Sequence, residues 1–319
     1  MDLQRRKVRV ALLSVISNTT LVVMKLAVGL LIGSVSIISE AMHSGSDLLA
    51  AVITFFSVKT SSQPADLRHP FGHGKIENVS GTVEALLIFL AAAWIIFEAI
   101  RKLLHPEPIE AVGWGVGVML VSSVVNIVVS KKLFKVGKET DSVALQADAW
   151  HLRTDVYTSA GVMISLAVIW MEHRAFPGLD LNWLDPVAAI FVALVIMKAA
   201  YKLTVQSARD LIDVRLPEEE EAWIRKLIRE YQASIHGFHQ LRTRKAGHFR
   251  YVEFHMLVDR QMSVDASHRI TVEISASIEE RFPNTSVTIH TEPCNGNCVG
   301  KCLEGCLLPV NGDSRSERS

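Results

Sequence analysis

Ala147-Asp148-Ala149-Trp150-His151-Leu152-Arg153-Thr154-Asp155 lies in a segment that otherwise reads as membrane-spanning, and it finds an echo in Ser39-Glu40-Ala41-Met42-His43-Ser44-Gly45-Ser46-Asp47. In each stretch a His is followed four residues later by an Asp: His151 with Asp155, His43 with Asp47. On a helix, residues four apart sit one above the other on a single face. Two such helices side by side bring two imidazoles and two carboxylates together, a tetrahedral set of the kind Zn²⁺ accepts. An ionisable group near the bilayer centre costs roughly 2.5–3.5 kcal/mol on insertion scales, so groups retained there serve a function by default. A single pair is explained by a local hydrogen bond. Two matching pairs in separate spans point instead to a shared metal site. Imidazole suits Zn, Co, Ni or Fe, and no thiolate is present to favour Cu(I).

Working outward, the chain has 319 residues, 49% of them hydrophobic, and no net charge. Its mean hydropathy is +0.27, too apolar for an ordinary soluble protein. Nothing in the charge balance calls for nucleic acid. The apolar residues are concentrated in the first two thirds, and charge is dense after Ser207. The division this predicts is a membrane domain over 1–207, one small soluble domain over 208–293, and a flexible cysteine-containing tail over 294–319. Arg5, Arg6, Lys7 and Arg9 precede an apolar run that continues to about Gly33 without a small-residue cleavage site, which reads as a first transmembrane helix rather than a signal peptide.

Spans need about 20 mostly apolar residues, and six are expected, at roughly 8–32, 35–59, 79–101, 112–133, 142–171 and 183–207. The second and fifth are the weakest by hydropathy because they carry the His/Asp pairs. Lys and Arg gather at the N-terminus, around Lys59, Arg68 and Lys75, and at Lys131, Lys132, Lys135 and Lys138. The alternate connections hold few, so both termini are expected in the cytoplasm.

After Pro217 the periodicity changes. Trp223, Ile224, Leu227, Ile228 and Tyr231 fall at helical spacing behind a first turn of acids, which the helix dipole favours. Phe238–Lys245 and Arg250–Val258 alternate as strands around Ala246-Gly247, Ser263–Phe282 is helical again, and Ser286–Glu292 is a third strand. The expected fold is therefore a membrane all-α six-helix domain followed by a small αββαβ domain, one sheet with two helices on one face. A core of about 80 residues is modest, and dimerisation would help stabilise it.

Three further clusters carry metal-binding residue types. The loop Asp66-Leu67-Arg68-His69-Pro70-Phe71-Gly72-His73 could converge Asp66, His69 and His73 on one ion, with glycines allowing a close turn. In the soluble domain His239, His255, His268, His290 and Glu292 fall on or beside the strands and a helix, while His236 and His248 read as surface residues. The tail places Cys294, Cys298, Cys302 and Cys306 at a regular spacing of four. Its glycines and asparagines oppose a stable helix, so no packed structure is expected there, and its role as a thiolate trap or an idle segment stays open.

SEAMHSGSD in the second span, HPFGHGKIE in the following loop and ADAWHLRTD in the fifth span together resemble the cation diffusion facilitator family of divalent-metal transporters, over about residues 8–293. The resemblance implies six transmembrane helices, a cytoplasmic domain like a metallochaperone, a homodimer, and export of Zn²⁺ or a related ion against protons by alternating access. It also implies a transport site of His43, Asp47, His151 and Asp155, a loop site of Asp66, His69 and His73, and a cytoplasmic site of His239, His255, His268, His290 and Glu292. Lys75 resembles a family lysine that pairs with an acid after the sixth helix, here Asp213 or Asp210. His43 stands where many bacterial relatives carry Asp, which in the family goes with zinc preference, and the cysteine tail has no counterpart in the family pattern.

The expectation is a zinc/proton antiporter of the cytoplasmic membrane, with Fe²⁺, Co²⁺, Ni²⁺ or Cd²⁺ as alternative cargo and Mn²⁺ disfavoured by the scarcity of oxygen donors. An intramembrane metalloenzyme is a rival from a different class, but the His-Glu-x-x-His helix that zincin-type hydrolysis would want does not occur. A membrane-anchored metal sensor is the rival from another class, but an anchor has no reason to bear buried ligands.

Overall fold

In lipid a backbone must satisfy its own hydrogen bonds, so long apolar stretches become helices. The computed structural model describes residues 2–32, 35–105, 114–175, 183–295 and 305–308, with some side chains in the second and fifth helices, His43 among them, outside that description. Six long helices form the first compact unit, Met1–Leu211: α1 (Asp2–Ile32), α2 (Val35–Ser61), α3 (Lys75–Leu104), α4 (Trp114–Glu139), α5 (Val143–Ala175) and α6 (Leu184–Leu211). Among the described residues α1, α3, α4 and α6 are long and apolar enough to cross a membrane. At 27 and 33 residues, α2 and α5 have the length, but the His/Asp pairs lower their hydropathy. Leu30, Leu90, Trp94, Phe97 and Phe191 stand exposed on the outside, as lipid-facing side chains do.

Small residues dominate the interior. Ala11, Ala144 and Ala149 pack with Val58, Leu133 and Leu152 between α1, α2, α4 and α5. Ala85, Ala92 and Ala200 pack with Ile88 and Ile196 between α3 and α6. Such side chains let backbones approach closely where no hydrophobic effect drives helices together. One buried ion pair adds direction to this packing. The Lys7 ammonium, 2% exposed, donates to Glu77 at 2.7 Å, and Glu77 is wholly buried. The same carboxylate accepts from Ser61 at 2.7 Å and from Ser142, the residue ahead of α5. Four elements distant in sequence therefore meet at one carboxylate.

The second compact unit, Ile212–Ser319, contains α7 (Glu218–Glu230), β1 (Gly237–Ala246), β2 (Phe249–Val258), α8 (Val264–Arg281) and β3 (Thr285–Pro293). β1 and β2 form an antiparallel hairpin and β3 pairs with β2 in parallel, so α8 is the crossover a parallel pair requires. Ser263 caps α8 by accepting from the Ala266 N–H at 3.1 Å. Ile224 and Ile228 of α7 and Ile274 and Ile278 of α8 pack on Phe238, Val252, Phe254 and Met256. One face of the sheet is thereby covered. Alternation leaves His239, His255, His290 and Glu292 on the other.

Two expectations are corrected here. His248 is buried rather than superficial, its ring stacked on Phe249 with centroids 4.2 Å apart, because the tight turn at Gly247 folds it back onto the hairpin. The tail is also not without packed structure. Phe238 N–H donates to Gly305 O at 3.0 Å, Leu307 N–H donates to His236 O at 2.9 Å, and Gly237 and Cys306 form a bridge pair. Leu307 packs against the core. An edge strand presents unpaired backbone groups to any chain that can reach them, and composition alone does not reveal that Gly305–Leu307 does so. A Cβ on Gly305 would lie 1.7 Å from Phe238 O.

Removing one member of a buried ion pair destabilises by about 3–5 kcal/mol, whereas replacing both can be neutral. Glu77→Ala should lower the melting temperature of the detergent-solubilised protein, and adding Lys7→Met should recover most of the loss. Equal melting temperatures for Glu77→Ala and the wild type would show that the pair holds nothing. Gly305→Ala should displace the tail from β1. In a background with Cys294, Cys298 and Cys302 changed to Ser, Cys306 should then react with a thiol reagent several-fold faster, and an unchanged rate would refute the docking.

Candidate metal centre

Because α2 and α5 pack against each other, residues one turn apart on their facing sides converge. His151 Nε2 lies 3.1 Å from Asp47 Oδ1 across that interface. Asp155 follows one turn later on α5, and ligand atoms of Asp47, His151 and Asp155 all fall within 4.8 Å of one another. Asp47 is buried and the His151 side chain is 14% exposed. His43 sits one turn before Asp47 on α2, with its side chain outside the described residues. Further polar groups surround the three. Glu84 on α3 is wholly buried and accepts from Thr54 of α2, Asp148 is wholly buried one turn before His151, and the Lys25 ammonium donates to Ser44 at 2.8 Å. Two carboxylates and an imidazole facing one point make a donor set for a borderline divalent ion.

The loop residues also converge. Asp66 Oδ1 accepts the backbone N–H groups of Arg68 at 2.8 Å and His69 at 2.6 Å, folding the loop back on itself. Gly72 adopts φ +79°, a conformation that side chains disfavour, and so turns the chain toward His73. The rings of His69 and His73 then lie 4.3 Å apart, and ligand atoms of Asp66, His69 and His73 cluster within 4.8 Å. The backbone hydrogen bond from His69, with a second from Arg68, holds the Asp66 carboxyl below its usual range. Asp66 and His69 are exposed while His73 is buried. Beyond the loop, Lys75 donates to Leu211 O at 3.5 Å and Asp210 accepts from Asn78 at 3.0 Å. In the other unit Asp213 accepts from Arg244 at 3.5 Å.

In the second unit, register does the assembling. His239, His255 and His290 are direct partners across β1, β2 and β3. Glu292, two residues on, has its carboxylate 3.1 Å from His239 Nε2, 2.8 Å from His255 Nδ1 and 3.5 Å from His290 Nε2. Burial pushes the Glu292 carboxyl up, but hydrogen bonds to His255 and His239 outweigh it and hold the group below its usual range. The tight cluster is His239, His255 and Glu292, with His290 at its exposed rim. His268 is exposed on α8, which packs on the opposite face of the sheet, so within one chain it lies apart from the others. Cys294 and Cys306 are free thiols, while Cys298 and Cys302 lie outside the described residues.

The sequence reading missed the Lys7–Glu77 pair. Lys7 sits in a basic N-terminal run and counts there only toward topology. Glu77, three residues into α3 behind two basic loop positions, gives no signal of its own.

The chain is similar to known proteins over most of its length. Residues 11–212 match the cation efflux transmembrane domain and residues 216–294 the cation efflux protein cytoplasmic domain. An uncharacterized transporter of Synechocystis sp. is 33% identical over 283 residues, 89% of each chain. The cation-efflux pump FieF of Yersinia pestis is 30% identical over 263 residues, 82% of this chain and 85% of that one. The metal-bound C-terminal domain of the CzcD transporter from Thermotoga maritima is 28% identical and covers 24% of this chain and 94% of that one, with a TM-score of 0.22. With ligand clusters in both units and both family domains spanning nearly its whole length, the chain belongs to the cation efflux, or cation diffusion facilitator, family and is a divalent-cation efflux transporter, not an enzyme.

Proposed function

We propose that this transporter exports Zn²⁺ from the cytoplasm in exchange for protons, working as a homodimer in the cytoplasmic membrane. The observation that carries the reading is the convergence of Asp47, His151 and Asp155 between α2 and α5, with His43 as the fourth donor of a tetrahedral His₂Asp₂ set. All four groups bind protons as well as metal, so the two compete for one site. Metal arriving from the cytoplasm displaces protons, the helices rearrange, and protons arriving from the far side displace the metal. Six spans with both termini in the cytoplasm accord with the basic residues of the N-terminus and of the α2–α3 and α4–α5 connections. The match of residues 216–294 to the family's cytoplasmic domain supports dimerisation through that unit.

The other clusters are secondary stations in this reading. Asp66, His69 and His73 form an exposed loop site whose carboxylate stays ionised in mild acid. His239, His255 and Glu292, with His290 beside them, form a cytoplasmic site that senses metal or steadies the dimer.

Proteoliposomes with an imposed pH gradient test the central claim. Zn²⁺ should move against protons, and Asp47→Ala or Asp155→Ala should reduce flux at least a hundredfold. Preferred movement of Cd²⁺, Fe²⁺, Co²⁺ or Ni²⁺ would keep the mechanism and replace the cargo. Absence of flux in folded protein would favour a sensor.

A pH titration tests the cytoplasmic site. Glu292 has a depressed carboxyl, so it remains charged as pH falls through mild acid, and only protons on the imidazoles oppose the metal. Zn²⁺ affinity in an Asp66→Ala, Asp155→Ala background should therefore fall progressively below neutrality. An affinity independent of pH between 5 and 8, the range over which imidazoles ordinarily titrate, would count against His239 and His255 as ligands.

A further inference from the structure

Between α4, α5 and α6 lies a cavity of about 540 Å³ that shares no residue with the transport site or the loop site. Lys138 and Gln146, at the adjoining ends of α4 and α5, form its mouth together with Gln206 on α6. From there it runs inward to Tyr157 on α5 and Val195 on α6. Gln146 and Tyr157 are eleven residues apart, as are Gln206 and Val195, which is about 16 Å of helix. The hydrocarbon core of a bilayer is about 30 Å thick. The cavity is therefore one leaflet deep, and it opens at the end of the bundle where the chain passes from α4 to α5.

Charge and apolar surface are divided along that depth. Lys138, Lys198 and Lys202 are exposed, Arg153 is half-buried, and no Asp or Glu is among the lining residues. Cations gathered without an acid need an anion to offset their repulsion. Arg153 is the most telling of them. It is the eleventh residue of α5, about 15 Å along the helix from its start, yet its guanidinium carbon sits 4.2 Å from the centre of the Phe134 ring and 5.8 Å from that of Trp150. Phe134 is one turn before Lys138 on α4, so the arginine reaches back along the bundle toward the lysines, as long cationic side chains do in a bilayer. A guanidinium attracted to aromatic rings can still donate to a phosphate through its N–H groups. Farther in, Tyr157 and Val195 are 39% and 47% exposed and supply an apolar wall. The tendency of cytoplasmic helix ends to be basic accounts for Lys138, but not for an arginine nearly three turns into α5 or for a cavity with an apolar inner end.

We infer that this cavity binds an anionic phospholipid, with the phosphate among Arg153, Lys198 and Lys202 and the start of an acyl chain along Tyr157 and Val195. Basic pockets between transmembrane helices take acidic headgroups in this way. In the orientation proposed above, the lipid belongs to the cytoplasmic leaflet. Arg153 lies on the far side of α5 from His151 and Asp155. The lipid is thus seated behind the helix that supplies two of the transport ligands and touches neither, and it binds whichever ion is carried.

Trp150 lines the cavity and reports its contents by fluorescence. The full-length protein is reconstituted in phosphatidylcholine vesicles holding a minor fraction of phosphatidylglycerol, with acyl-chain bromine, a contact quencher, on one lipid or the other at equal mole fraction. The Trp150 signal is the part lost in Trp150→Phe. Brominated phosphatidylglycerol should quench it several-fold more than brominated phosphatidylcholine. Combining Arg153→Gln, Lys198→Gln and Lys202→Gln should remove the difference. Lys198→Gln with Lys202→Gln, both at exposed positions, should lower it at least twofold, a check that stands even if the triple variant fails to fold. Equal quenching by the two lipids would overturn the inference, as would a preference that the folded variants keep. Relief of quenching by millimolar inorganic phosphate would assign the cavity to a soluble anion instead. A Trp150 that no brominated lipid reaches would mean that protein, such as a second copy of the chain, covers the opening.

Discussion

An ionisable side chain held away from water must find a partner, and that constraint arranges the membrane unit. Asp47 and His151 satisfy it with each other, 3.1 Å apart across α2 and α5. These are the two helices whose sequences are least able to enter a bilayer on apolar character. Between them they contact every other helix of the unit: α2 meets α1 and α3, while α5 meets α3, α4 and α6. The two helices that bring the polar residues thus bridge the rest of the bundle, and the apolar α3 and α6 turn Trp94, Phe97 and Phe191 outward. Position in the bundle follows from chemistry at a few residues.

The three clusters share one construction. A carboxylate lies against an imidazole in each: Asp66 near His69 and His73, Glu292 near His239 and His255, Asp47 near His151. They differ in access to water. The Asp66 side chain is 51% exposed and that of Glu292 32%, whereas that of Asp47 is 8% exposed. An exposed cluster exchanges ions directly with solvent. A buried one exchanges only when helices move, and that restriction allows the same ligand chemistry to serve transport.

Much of this was legible in the sequence because periodicity is a local property. The six long helices, the αββαβ order and the His-x-x-x-Asp pairs all follow from spacing, and the facing of His239, His255 and His290 needs only strand alternation and register. Long-range pairings left no such trace. Nothing in the spacing joins Lys7 to Glu77, or Gly305 to the backbone of Phe238, because those partners are chosen by how separate elements dock. Residue type alone likewise does not say that the crossover helix carrying His268 packs on the far face of the sheet.

The Lys7–Glu77 pair also bears on how the chain enters the membrane. The partners are 70 residues apart, so Lys7 is synthesised and delivered to the bilayer well before Glu77 exists. A lone ammonium is held at the headgroups by hydration and by anionic lipid. The full set of bonds at Glu77 therefore forms only after α3 and the residue ahead of α5 have been made. The bundle is thus tied back onto its first helix by a residue made much later.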